Sequence, residues 1–164
     1  MTRSRLFFAA AVLVLIAFAF GTQMARADAW EAFQTRCIAP MENFDDPVID
    51  GLEPAEATGL TAERIDAAGA FEGQGYLPQD KSFFLVVEGD GGCIVTHNYA
   101  DDRVWAQAEA WRDAELALER YEATDYAGEY HSTPWREPVF SVTLFFDPKL
   151  QIAVFTARHT DLET

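Results

Sequence analysis

The chain has 164 residues, of which 27 are acidic and 12 are basic, so its formal net charge at pH 7 is −15. A surface of this sign repels nucleic acid and anionic membranes, which argues against proteins that act on either one. Apolar and aromatic residues make up 49% of the chain, and this content argues against intrinsic disorder.

The N-terminus has the layout of a secretory signal peptide. Arg3 and Arg5 precede an unbroken apolar run over residues 6–20, and alanines occupy positions 25 and 27. The alternative is a membrane anchor, but the run is shorter than the roughly 20 residues that a transmembrane helix needs. We therefore predict that residues 1–27 are cleaved and that the protein is exported to the periplasm or the extracellular medium.

Cleavage would leave residues 28–164, a length that suits one compact domain. Three of the 12 basic residues and none of the acidic ones lie in residues 1–27, so the remaining chain has a formal charge of −18. Such a charge is typical of a soluble protein, and it also favours cationic partners.

The only two cysteines are Cys37 and Cys93. In an exported protein an even pair most simply forms one disulfide. A redox or metal site is the alternative, but no C-x-x-C motif is present and neither cysteine has a histidine directly beside it.

The first helix of the predicted domain starts after Asp28, which can cap it. Three apolar residues recur at helical spacing, which places Cys37 on the buried side: Trp30, Phe33 and Cys37. We expect the helix to end near Ala39, because Pro40 disfavours helical geometry in the residue before it.

The next segment, residues 42–57, is rich in carboxylates, prolines and glycine and predicts a solvated loop. Thr61 can then cap a short helix over residues 62–68. Gly73 and Gly75 predict a turn, because the third glycine of a dinucleotide-binding loop is missing.

Residues 83–99 predict a buried β-hairpin with a glycine-rich turn at residues 89–92. A long helix follows, from Asp101 or Asp102 to about Arg120. Its buried stripe is predicted to contain Val104, Ala108, Trp111, Glu115 and Leu118.

Glu115 lies among apolar neighbours on that stripe, and two readings stay open. A desolvated carboxylate could act as a general acid or base, with His97 as its partner in a hydrolase. Alternatively, the helix rolls slightly and Glu115 pairs with Arg112 or Arg120, as buried charges usually do.

The segment from Tyr121 to Pro138 predicts a long irregular loop, and it is the candidate binding surface. Aromatic rings with polar tips bury large areas with few rotatable bonds, although they can equally pack a loop onto its own core. The candidate binding residues are Tyr121, Tyr126, Tyr130, His131 and Trp135. A second hairpin is predicted over residues 139–158, with its turn at Asp147 to Lys149.

The sequence contains no motif for nucleophilic catalysis, and no metal site or cofactor is predicted. The three histidines, His97, His131 and His159, lack the spacing of local zinc motifs.

Together these patterns predict an α+β domain. Its single antiparallel sheet has about four strands in two hairpins. An N-terminal helix, a short helix and a long helix between the hairpins pack on one face. The leading functional hypothesis is a small exported binding protein that works without a cofactor. One form of it is an acidic binder or inhibitor of a basic envelope protein. The alternatives are an exported hydrolase with an acid–base carboxylate and a structural accessory subunit of an envelope complex.

Overall fold

A computed structural model of the chain describes residues 28–55, 73–89, 91–98, 102–133 and 139–160. The predicted signal peptide (residues 1–27) and the predicted short helix (residues 62–68) lie outside these ranges.

The N-terminal helix is a continuous segment of three parts: α1 (Ala29–Phe33), a π-helical turn (Gln34–Ile38) and α2 (Ala39–Met41). The Asp28 carboxylate caps it by accepting a hydrogen bond from the backbone N–H of Glu31, at 2.8 Å. The predicted apolar stripe is confirmed, since Trp30, Phe33 and Cys37 are all buried.

The predicted end of this helix at Ala39 is wrong, because the helix continues through Pro40 to Met41. Proline has no N–H to donate to the carbonyl of Arg36, four residues earlier. The backbone widens into a π-helical turn, in which the Ala39 N–H donates to the Gln34 carbonyl. The Arg36 carbonyl instead accepts the N–H of Val48 at 2.9 Å. A partner outside the helix thus replaces the bond that proline cannot make.

Within the described residues, eight strands form one sheet, so the predicted sheet of about four strands is wrong. Neighbouring strands are antiparallel, and their spatial order is β1-β2-β3-β4-β8-β7-β6-β5. The strands are β1 (Glu53–Pro54), β2 (Gly73–Leu77), β3 (Phe84–Glu88), β4 (Cys93–Asn98), β5 (Tyr121–Ala123), β6 (Glu129–Ser132), β7 (Phe140–Asp147) and β8 (Ile152–His159).

The topology consists of two four-stranded meanders joined at β4 and β8. The long helix α3 (Asp102–Ala117) leads from β4, in the middle of the sheet, to β5 at its far edge. The chain then returns strand by strand until β8 pairs with β4. This crossover explains how two local hairpins become one wide sheet.

Both predicted hairpins are confirmed as β3–β4 and β7–β8. The predicted turn at Gly73 to Gly75 is wrong, because these residues begin β2. A Cβ at Gly75 would lie only 2.5 Å from the ring of Phe84, and one at Gly73 only 2.4 Å from the carbonyl oxygen of Val87. The glycines therefore permit close approach of neighbouring groups within a strand rather than a chain reversal.

The core lies between one face of the sheet and the helices. Phe155, in β8, pairs with Val95 of β4 and with Leu144 of β7, so their side chains share this face. The ring of Trp30 packs edge-on against Phe155, with centroids 5.1 Å apart. The predicted disulfide between Cys37 and Cys93 is confirmed, and it joins the π-helical turn to β4 with both side chains buried.

Helix α3 buries Val104 and Ala108 as predicted, but Leu118 is exposed, so the predicted stripe is wrong at that residue. The helix ends at Ala117, and Glu119 adopts a positive φ of 55°. Leu118 is therefore the first residue beyond the helix. None of the helices in the described ranges is long and apolar enough to cross a membrane.

Candidate functional site

Glu115 is buried, with 7% of its surface exposed, and its carboxylate forms an ion pair with the guanidinium of Arg120. His97 in β4 pairs with Ala153 in β8, which on its other side pairs with Phe146 in β7. Phe146 stacks on Trp105, near the start of α3. Ten residues separate Trp105 from Glu115 along the helix, a rise of about 15 Å. The structure therefore does not bring together the two groups of the hydrolase hypothesis.

The predicted irregular loop from Tyr121 to Pro138 is wrong in its first half, which forms the β5–β6 hairpin. Tyr121 is buried between the rings of Trp111 and Phe140, and its hydroxyl lies 3.4 Å from the Glu42 carboxylate. Tyr130 is half-buried and packs against the same core. These two tyrosines belong to the helix-covered face.

The other predicted binding residues lie elsewhere. Tyr126 is 76% exposed in the turn between β5 and β6. His131 alternates with Tyr130 along β6 and so projects from the opposite face, where its Nε2 is 3.4 Å from Glu129 Oε1. Trp135 lies outside the described residues. The four described residues therefore occupy three different parts of the surface and core.

A different segment combines exposed apolar and acidic side chains. We call residues 42–52, which join α2 to β1, the acidic loop. It contains four carboxylates and no basic residue: Glu42, Asp45, Asp46 and Asp50. Three large apolar residues in it are exposed, namely Phe44 at 71% and, less strongly, Val48 and Ile49. The sequence indicated the charge of this segment but not its exposed apolar groups.

Arg36 holds the acidic loop against the helix. Its guanidinium Nη1 donates to the carbonyl oxygens of Val48 and Asp50, both at 3.0 Å. The Val48 N–H returns a bond to the Arg36 carbonyl. A turn closed by the Leu52 N–H and the Ile49 carbonyl, at 3.0 Å, completes the loop. The arginine therefore binds loop carbonyls, and these bonds join the loop backbone to the helix.

Phe44 ends the helix in a backbone conformation that glycine normally occupies. The Asp45 N–H bonds to the Pro40 carbonyl and the Phe44 N–H to the Met41 carbonyl, which is the Schellman arrangement. Phe44 itself has a φ of +61°. A left-handed conformation costs a bulky residue about 1–2 kcal/mol relative to the right-handed one.

Packing does not account for phenylalanine at this position. Its ring is mostly exposed, and the ring contact it makes is a parallel one with His159 at a centroid distance of 6.5 Å. A strained residue that the core does not require is an indication of function. The acidic loop with Phe44 at its start is therefore the candidate functional site.

The Arg36 bonds lead to a prediction about this loop. Arg36→Met should lower the free energy of unfolding by about 1–2 kcal/mol, because two carbonyls lose a charged donor. It should also speed hydrogen exchange at the Val48 amide. Urea denaturation and amide exchange measure the two effects. Lys149→Met, which removes an equal charge from an exposed turn, is the control, and equal effects of both variants would contradict the interpretation.

In the described part of the chain, no group of three or more His, Cys, Asp or Glu side chains is arranged to hold a metal ion. Comparison with protein-family models, curated proteins and solved structures found no significant match.

Proposed function

We propose that the protein is a small exported binding protein whose acidic loop contacts a basic protein partner. The observation that carries this proposal is Phe44, an exposed aromatic ring in a strained backbone conformation beside two carboxylates, Asp45 and Asp46. Charge supports the choice of partner, since residues 28–164 contain nine basic and 27 acidic side chains.

Each feature of the loop has a defined part in such binding. A cluster of surface carboxylates steers an oppositely charged partner and raises the association rate. An aromatic side chain that enters a pocket of the partner supplies most of the affinity, as interface anchors do. A backbone held by Arg36 reduces the ordering cost on binding, because the loop is already shaped.

The variant Phe44→Gly is expected to weaken partner binding without destabilising the fold. Glycine adopts the left-handed conformation without strain, although it also gains freedom in the unfolded chain. The variant should therefore be as stable as the wild type or up to about 1 kcal/mol more stable. Its affinity for the partner should fall about 30-fold, the size of an anchor truncation.

The experiment uses a basic protein captured from an envelope extract at low salt, with affinities then measured by calorimetry. Leu150→Gly, at another exposed apolar position, is the control and should bind as the wild type does. Tyr126→Ser tests the aromatic surface predicted from the sequence. The proposal is wrong if Phe44→Gly binds with unchanged affinity, or if affinity does not change with ionic strength.

A further inference from the structure

An open groove of about 540 Å³ lies between α1 and α3, on a part of the surface separate from the acidic loop. Its volume is within the range of small-molecule sites. The lining side chains used below are Asp28, Trp30, Glu31, Gln34, Gln107 and Trp111.

The charge of the groove is negative. Asp28 and Glu31 contribute two carboxylates, and the described residues that line the groove include no lysine, arginine or histidine. The N-terminal end of a helix opposes this with about half a positive charge. The predicted cleavage would create an α-ammonium on Asp28, which adds one more positive charge. The net charge of the groove then remains negative, at about half a unit.

The nearest cation along α3, Arg112, is already engaged. Its guanidinium binds the Asp113 carboxylate at 2.8 Å and approaches that of Glu109 at 3.5 Å. The hydrogen bond to Asp113 raises the pKa of Arg112 above its ordinary value. Arg112 thus neutralises its own two neighbours rather than the carboxylates of the groove.

Trp111 forms the accessible part of an aromatic wall, and Trp30 packs against it from the core. Trp30 is buried, and its ring centroid lies 5.6 Å from that of Trp111. Trp111 is half-buried, and Tyr121 packs edge-on against it at 5.2 Å. Indole rings attract cations through their π-face, more strongly than other aromatic rings do. Amide groups of Gln34 and Gln107 complete a lining that can accept hydrogen bonds.

We propose that this groove binds an organic cation, an ammonium or guanidinium group on an aliphatic stem. The stem lies against the tryptophan wall while the cationic head faces the carboxylate of Glu31. The same chemistry occurs in free amines and in lysine or arginine side chains. The proposal does not depend on the acidic loop.

The test is a titration followed by NMR of the tryptophan indole N–H signals in the purified full chain. The probes are cadaverine, agmatine, a short lysine-containing peptide and the neutral alcohol 1-pentanol. Either amine should shift the signals of Trp30 and Trp111 with a dissociation constant of about 1 mM. Trp105, which stacks on Phe146 and does not line the groove, should not respond.

Charge variants at exposed Gln107 give effects of opposite sign. Gln107→Glu should tighten amine binding about threefold, and Gln107→Lys should abolish it. Glu31→Gln should weaken it about threefold. Glu122→Gln, which removes the same charge from exposed β5, should bind as the wild type does.

The comparison of the probes also identifies the source of the cation. Shifts with the free amines assign the groove to small molecules, whereas shifts with the peptide alone assign it to basic side chains of a partner. Equal shifts with 1-pentanol, or equal binding by Gln107→Glu and Gln107→Lys, would overturn the proposal. Loss of binding to a basic protein in Phe44→Gly, with amine shifts unchanged, would show that the two sites are separate.

Discussion

Replacing Cys37 and Cys93 together with alanine is expected to lower the free energy of unfolding by about 4 kcal/mol. The disulfide closes a loop with a sequence separation of 56 residues, and the loss of this constraint enlarges the unfolded ensemble by about that amount. Both side chains are fully buried, so alanine avoids introducing a buried polar group. Urea denaturation of the oxidised wild type and the double variant measures the difference.

The same experiment has an internal control. Wild-type protein that is reduced while unfolded and then alkylated at both cysteines also lacks the cross-link, and it should be at least as destabilised. In the native oxidised protein neither cysteine should react with an alkylating reagent. A change below about 1 kcal/mol in the double variant would mean that the cross-link does not constrain the chain as the loop length requires.

Phe155→Ala is expected to cost about 3–5 kcal/mol, the range for truncation of a buried phenylalanine. Phe155 is fully buried in the centre of β8, where it contacts the rings of Trp30 and Phe33. Truncation removes the packing between the sheet and the N-terminal helix. Thermal and urea denaturation measure the loss.

Phe145→Ala is the matched control, because Phe145 lies on the neighbouring strand β7 and pairs with Val154 on the opposite face of the sheet. It is 53% exposed, and its truncation should cost less than about 1 kcal/mol. Equal losses in the two variants would contradict the assignment of the helix-covered face as the core.

Patterns that depend on near neighbours predicted part of this fold. The helical spacing of Trp30, Phe33 and Cys37 placed Cys37 on the buried side, as observed. The disulfide was predicted because a chain expected to be exported has only two cysteines, and the structure contains it. Both hairpins were also predictable, because turn residues separate two apolar runs in each of them.

The remaining strands depend on contacts that a local pattern does not contain. β2 begins with glycines whose missing side chains make room for Phe84 and Val87, so a strand has the composition of a turn. β1, β5 and β6 have two to four residues each, too few for a periodic signal. Their strand conformation follows from pairing with partners elsewhere in the chain.

The candidate site was predictable in its charge and not in its geometry. Four carboxylates between residues 42 and 52 indicate an acidic surface at once. The position of Phe44 depends on the helix continuing past Pro40, which in turn depends on Val48 bonding back to Arg36. A proline-based rule for helix ends therefore missed the residue that we propose as the anchor.

Site-specific photo-crosslinking tests the proposed function most directly. The photoreactive phenylalanine analogue benzoylphenylalanine is placed at position 44, with positions 126 and 150 as exposed comparisons, and the protein is irradiated in envelope extract. We predict that a basic protein is cross-linked from position 44, that it is not cross-linked from position 150, and that high salt abolishes the product. Cross-linking from position 126 alone, or a salt-insensitive product with an acidic protein, would contradict the proposal.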